Sequence, residues 1–525
     1  MRKTLQAKAV VAAALTVLLG AAGPAFQADL VLKGGTIYDG SGRAAFVGDV
    51  AITGDRITYV GRSAKIRARR SIDVRGLIVA PGFIDLHTHP EITAAEPAKR
   101  RLDTWLAQGV TTIVTGNDGF GDFDIAAQTR SLKARPIGPN MASYVGFGPV
   151  RIAVLGRGAV TPDTAQLAAM QALVAKGMCD GALGLSAGLF YAPQTFAKTD
   201  EVIAVAREAA KRGGIYDTHQ RDESSYDIGL LASVDEALKI GREAGMPVHF
   251  AHLKALGVDV HGQAPTVIDR IAAARAAGQQ VTADQYPYTA GSTSLTAALL
   301  PPWALDGGLG AIKARIVDPA QLDRLRTEMR ENLRRRGGAG ALLLINSGRP
   351  WTGKRLDAVA AEWNVDPIDA ALRLVRDDPD SIDVVSFVMI EPDIEAIMRQ
   401  PWVVTGSDGT AGHPRISGTF PRKYAHYVVE RKVISLAAFI RQSTGRSADI
   451  LKLDRRGYLR RGWYADVVVF DPRTYAPRSD YERPSELAVG VGTLLINGQP
   501  VIADGRLNDR LPGRVLRRTN VPNCR

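Results

Sequence analysis

A chain of 525 residues, 46% hydrophobic and 23% charged, has the composition of a globular protein with room for one large domain and a smaller one, which excludes a disordered or fibrous chain. The formal net charge of +12 would suit an anionic partner, but the basic residues are scattered and no nucleic-acid-binding motif accompanies them. Their densest cluster, Arg510 to Arg518 with Arg525, reads as a solvated basic tail over 511–525.

The N-terminus carries Arg2, Lys3 and Lys8, an apolar run from Ala9 to Ala22, then Gly23, Pro24 and Ala25. This layout predicts a secretory signal over 1–27, cleaved after Ala25 or Ala28, because about 14 apolar residues fall short of the ~20 that span a bilayer. No cysteine follows the run, so no stable membrane anchor is expected, and the protein reads as a soluble one secreted across the inner membrane to the periplasm. The only cysteines are Cys179 and Cys524. A disulfide framework is not expected from them, and Cys179 reads as a buried small residue.

From 28 to 80, short β-rich runs alternate with Asp-Gly, Ser-Gly and Gly-Asp turns, and ADVVVF and LLINGQPVI repeat the pattern near the other end. Both ends, 28–80 and 451–510, are predicted to build one small antiparallel β-sandwich domain. Between them, over 81–450, strand and helix patterns alternate, which predicts an α/β fold, a TIM-like (β/α)8 barrel of parallel strands. Strand candidates are Thr111–Thr115, Ala142–Phe147, Gly181–Ser186, Gly214–His219, Pro247–His252, Gln280–Tyr286 and Trp402–Gly406. The stretch 291–380 breaks the alternation and reads as an insertion, and DVVSFVMI (383–390) is left unassigned.

Catalytic residues in such barrels sit at the C-terminal ends of the strands and in the loops just beyond. GFIDLHTHP places His87 and His89 at the end of the first strand, on one face because strand side chains alternate. His219 ends GGIYDTH, His252 ends PVHFAH, and Asp408 follows WVVTGS. Four imidazoles and a carboxylate at one rim point to zinc. His249, three residues before His252, faces the other way and reads as structural; His261 and His426 have no ligand-like surroundings. Asp217 shares a face with His219 and either orients it or is held by backbone.

This constellation resembles the amidohydrolase superfamily, and the words YDTHQRDES, FAHLKALG, DQYPYTAGST, GLSAGLFYAP and HPRISGTFPR resemble its N-acyl-D-amino-acid deacylase (D-aminoacylase) branch over roughly residues 29–505. The chain departs from the pattern twice. GALGLSAG lacks the bridging strand-four lysine of many amidohydrolases, and Gly116-Asn117-Asp118-Gly119 stands where the branch usually has a cysteine. Asp118 is either a carboxylate ligand in the cysteine's place or an ordinary turn residue.

The resemblance implies one or two zinc ions, with Asp118, His219 and His252 on the tighter site and His87, His89 and Asp408 on a weaker one. Zinc lowers the pKa of water to about 7, and Asp408 would serve as general base and then acid in amide hydrolysis. The substrate would be a small N-acyl-D-amino acid. Arg415 suits its free carboxylate through a two-pronged contact, and the resemblance adds Lys254 and Tyr286, preferred over Tyr288. The D preference rests on the resemblance alone. A cyclic-amide hydrolase of the hydantoinase or dihydroorotase kind is the second reading, and a non-catalytic exported binding protein the third.

Overall fold

The computed structural model describes residues 26–62, 65–90, 99–346, 348–378 and 382–524. The signal expected over 1–27 lies outside these residues apart from Phe26 and Gln27, which open the first strand. In chain order the strands begin with β1 (Phe26–Ile37), β2 (Phe46–Thr53), β3 (Arg56–Gly61), β4 (Ile66–Asp73) and β5 (Ile78–Pro81). The middle carries β6 (Phe83–Asp85), β7 (Val110–Thr115), β8 (Asn140–Ser143), β9 (Val145–Gly146), β10 (Gly184–Gly188), β11 (Ile215–His219), β12 (Val248–Phe250) and β13 (Val281–Gln285). After β14 (Ala290–Ser294), β15 (Leu342–Leu344) and β16 (Asp383–Phe387) comes β17 (Val403–Thr405); β18 (Val467–Phe470), β19 (Val491–Ile496), β20 (Gln499–Ala503) and β21 (Arg506–Leu507) follow.

Both ends of the chain build one nine-stranded sheet in the order β21-β20-β19-β18-β5-β1-β2-β3, with β4 also on β1. It is not purely antiparallel, as the turn pattern suggested. The long β1 pairs in parallel with β4 through its first half and with β5 through its last two residues.

The middle strands pair in parallel, β6-β7-β8 in one sheet and β9-β10-β11-β12-β13-β17 in another. Only Tyr144 separates β8 from β9, and a parallel bridge between Thr88 and Gly409 links the segments after β6 and β17. Helices between these strands bury one stripe each. In Thr164–Cys179 the stripe is Met170, Val174 and Met178, and Asp163 and Gln166 close the N-terminus as a reciprocal capping box. The run DVVSFVMI contributes β16, which pairs antiparallel with β14 and β15 outside the parallel order.

The nine-stranded sheet is fixed to β6 by aromatic packing: Phe83 stacks on Phe420 at 5.3 Å and meets Phe470 of β18 at 6.3 Å. Such contacts hold the first parallel strand against a rigid neighbour.

Two expectations need correction at the C-terminus. Cys179 is exposed and bonded to Cys524, with Cα atoms 5.4 Å apart, so the two cysteines do pair. The tail is docked, not solvated. Gly513 N donates to Ile137 O, Leu516 N to Met141 O and Arg518 N to Gly181 O, while Arg514 pairs with Asp55 at 2.7 Å. Counting arginines concealed the apolar Val515 and Leu516, which bring the backbone close to the chain entering β8 and β10. That is the end of the strands away from His219. Among the described residues no helix is long and apolar enough to cross a membrane.

Candidate metal centre

His87 and His89 lie in the loop beyond β6, which stops at Asp85, yet their rings converge with Nε2 atoms 3.2 Å apart. Buried Asp85 organises this loop: it accepts from Ser407 N at 2.8 Å and Trp105 Nε1 at 3.1 Å. Asp408 N in turn donates to His87 O at 2.8 Å and His89 N to Gly409 O at 3.0 Å, so the loops after β6 and β17 are zipped together. His219 ends β11, and His252 lies two residues past β12.

Asp118 sits in the turn after β7 with φ 57°, His252 has φ 34° and Asp408 φ 49°. Left-handed backbone at a non-glycine residue costs of order 1–3 kcal/mol and persists where the surroundings impose it. Around Asp118 the surroundings are explicit. Asn117 Nδ2 donates to Leu86 O and Asp217 Oδ2, and Gln194 Nε2 donates to the Asp118 carbonyl at 3.0 Å. A side chain at Gly119 would strike Gln194, so glycine is required there.

Asp118 Oδ1 stands 3.3 Å from His252 Nε2, 3.4 Å from His87 Nε2 and 3.7 Å from His219 Nδ1. Asp118 Oδ2 is 3.5 Å from His89 Nε2, and Asp408 Oδ1 is 3.2 Å from His89 and 3.6 Å from His87. Two ligand groups result, His87-His89-Asp118-Asp408 and Asp118-His219-His252, sharing Asp118. The donor set fits zinc: the carboxylate oxygen Asp118 Oδ1 is buried without a hydrogen-bond partner amid imidazole nitrogens, a costly arrangement that a cation relieves.

Burial opposes ionisation of Asp118, yet the His87 and His252 rings beside it hold its carboxyl well below the usual range. Asp408 is likewise kept ionised against burial, chiefly by the Arg415 guanidinium. The same carboxylates push His89 up to about 9 despite its desolvation. Both acids are therefore anionic at neutral pH, and a divalent cation competes with imidazole protons for them.

The residues expected around the substrate are also brought here. A cavity beside the cluster is lined by His219, His252, Asp408, Lys254 and Tyr286 among others. The Tyr286 hydroxyl is buried without a partner, whereas Tyr288 donates to Pro414 O at 3.3 Å. Arg415, almost fully buried, has Nη1 2.7 Å from Asp408 Oδ2, but neither Nη1 nor Nε makes a hydrogen bond of good geometry. Lys254 is committed within the protein: Nζ donates to Glu223 at 2.7 Å and lies 2.7 Å from His252 Nδ1.

Asp217 does not reach His219. Its Oδ2 accepts from Ser186 Oγ at 2.8 Å and from Asn117, so it braces the Asp118 turn from below. His249 is structural as expected, bonded to Thr282 Oγ1 and Asp284 Oδ2. His261 meets Val388 O, and His426 pairs with Glu430. Sequence reasoning missed Glu223, four residues after His219, and Asp284, the penultimate residue of β13, which accepts from His252 N at 3.1 Å. Asp284 lies at the same strand-end level as His219, a positional signal open to reading; Glu223 lies in a loop and gives none.

Parallel strands whose ends gather four imidazoles and two buried carboxylates define a metal-dependent hydrolase of the amidohydrolase fold. The model of the amidohydrolase family matches residues 70–502, and the chain belongs to that family. It is 34% identical over 521 residues to a D-aminoacylase of Alcaligenes xylosoxydans xylosoxydans, covering 94% of this chain and 98% of that protein. A solved D-aminoacylase described by its binuclear metal centre superposes with TM-score 0.80 at 32% identity, over 93% of this chain and all of the other. The N-acyl-D-glutamate deacylase of Bordetella bronchiseptica, solved with zinc and a phosphonate mimic of the tetrahedral intermediate, gives TM-score 0.80 at 30% identity, over 94% and 100%.

Proposed function

We propose that this protein is a zinc-dependent hydrolase of N-acyl-D-amino acids, releasing a D-amino acid and a carboxylate. The observation that carries the reading is the shared, partnerless Asp118 oxygen between two histidine groups, in a chain whose relatives over nearly its whole length are a D-aminoacylase and N-acyl-D-aspartate and N-acyl-D-glutamate deacylases. The parallel strands β6 to β13 with β17, counting β8 and β9 as one strand interrupted at Tyr144, would close into an eight-stranded barrel carrying the site at one rim, beside a β-sandwich. The cyclic-amide reading is weaker, because Gly184–Gly188 offers no lysine to bridge two metals. Zinc-loaded protein assayed on paired N-acetyl-D- and N-acetyl-L-amino acids and on a hydantoin should turn over the D series alone. Turnover of the hydantoin with none of the amide would reverse the order of the two readings.

The mechanism assigns one task to each group. His219, His252 and Asp118, and His87, His89 and Asp408, would hold zinc, which when bound would supply a Lewis acid for the amide carbonyl and a more acidic water. Asp408, ionised and 5% exposed, takes the proton of the attacking water and returns it to the departing nitrogen. Lys254 and Glu223 hold the Nδ1 side of His252, which orients its Nε2 toward the cluster. Asp284 restrains His87 and His249 from beneath, with His87 Nδ1 3.7 Å and His249 Nε2 3.0 Å away. Tyr286, its hydroxyl unpaired, donates to an oxygen of the substrate.

Arg415 is assigned the α-carboxylate, because its Nε and Nη1 are buried donors in want of acceptors. Arg415→Ala should lower kcat/KM by about 30- to 1000-fold, roughly 2–4 kcal/mol for a charge-assisted contact in a desolvated site. Because Arg415 also faces Asp408, the deciding measurement is a ratio. The parent should prefer the free acid over the amino acid amide, and the variant should have lost that preference; an undiminished preference would move the carboxylate elsewhere.

Export to the periplasm remains part of the proposal. The Cys179–Cys524 bond supports it, since disulfides persist in oxidising compartments.

A further inference from the structure

Arg336 caps the C-terminal end of the helix Pro319–Arg335, within the stretch that interrupts the parallel strands, and it is 3% exposed. Its Nε donates to Ala298 O at 3.2 Å and its Nη1 to Ser386 Oγ at 3.1 Å. Its guanidinium carbon lies 5.4 Å from the Tyr226 ring centroid. Among the described residues no carboxylate pairs with it, although it lines the same cavity as His219, His252 and Asp408. Of the other cations at the site, Lys254 is paired with Glu223, and Arg415 stands against Asp408 with Nε and Nη1 still lacking acceptors.

A buried guanidinium held only by neutral acceptors is expensive unless an anion arrives. Two anchors, Ala298 and Ser386, fix the orientation of the fork, so it needs little further ordering to bind one. Beside it on the cavity wall, Ser292 and Thr293 of β14 offer hydroxyls, and Tyr226 an aromatic face. The same cavity is also lined by Phe190 and Leu256, apolar surface for a short methylene stem, while the fork of Arg336 with the hydroxyls suits a carboxylate at the end of that stem.

We infer that Arg336 is a specificity-determining residue that reads a second carboxylate on the substrate, making acidic N-acyl-D-amino acids the preferred class. This rests on the proposed deacylase activity and on Arg415 taking the α-carboxylate. The two arginines then divide the work: Arg415, behind Asp408, takes the carboxylate common to every substrate, and Arg336, on the inserted unit, takes the one that distinguishes aspartate and glutamate from leucine. The inserted strands β14 to β16 and their helices thereby set selectivity, while the parallel strands supply the chemistry.

The test compares kcat/KM for N-acetyl-D-glutamate and N-acetyl-D-leucine in the zinc-loaded parent and in Arg336→Met. The parent should favour the acidic substrate. In Arg336→Met the acidic-to-neutral ratio should fall about 100-fold, mainly through KM of the acidic substrate, since a fork-to-carboxylate contact is lost. If Arg336→Met does not fold, as judged by thermal unfolding, Arg336→Lys keeps the charge without the fork and should lower the ratio in the same direction by a smaller factor. A parent that favours the leucine substrate, or an unchanged ratio in the folded variants, overturns the inference and leaves the deacylase reading standing. Equal losses on both substrates overturn it too, because Arg336 would then hold the α-carboxylate or the fold. A parent inactive on every N-acyl-D-amino acid removes the deacylase reading itself, and the inference with it.

Discussion

Asp408→Asn is expected to lower kcat by about 100- to 10,000-fold, the range that general acid–base catalysis contributes, while the protein folds normally. The substitution is well suited to the position. Asp408 has φ 49°, a left-handed conformation that asparagine tolerates nearly as well as aspartate, so the backbone need not change. The amide keeps the volume but cannot accept the water's proton, and it no longer matches the charge of Arg415 at 2.7 Å. Rates measured across pH, with folding followed by circular dichroism, read the result. An Asp408→Asn protein hydrolysing amides at near the parent rate would return the role of base to another group.

The loss at Asp118 should be comparable in size and different in kind. This carboxylate belongs to both ligand groups, so Asp118→Asn, which also tolerates φ 57°, should lower zinc content per chain and activity together. Asp118→Cys should recover part of both, since thiolate is a competent zinc ligand, though a left-handed cysteine carries backbone strain that limits the recovery. Metal analysis decides. Unchanged zinc content with an unchanged rate in Asp118→Asn would make the residue a turn former after all.

What the sequence disclosed divides along a physical line. His87, His89, His219, His252 and Asp408 were legible because strand ends can be located from apolar runs, and the fold gathers strand ends at one rim. Asp118 was legible as a candidate, and its position between two histidine groups supports the ligand reading that the metal analysis of Asp118→Asn tests. Side chains whose task depends on tertiary neighbours were opaque. Nothing in YDTHQRDES says that Glu223 meets Lys254, or that Asp217 turns away from His219 to brace Asn117. Arg336 was one of a run of arginines, and only packing separates it from the exposed ones. The long β1 defeated the turn pattern because its two ends serve different partners, β4 and β5, in a parallel sense that no hairpin signal announces.

The bond between Cys179 and Cys524 was opaque for the same reason, its partners standing 345 residues apart. It turns the chain into a covalent ring with a free N-terminal arm. The ring carries His219, His252 and Asp408; the arm carries His87, His89 and Asp118. The metal cluster therefore stitches arm to ring. Closing so large a loop restricts the unfolded chain by on the order of 5 kcal/mol in the chain-entropy account. That contribution is present only where thiols are oxidised. One polypeptide thus has two stabilities, and a reductant acting at the far end of the strands alters how firmly the arm and the ring are held around a centre it never touches.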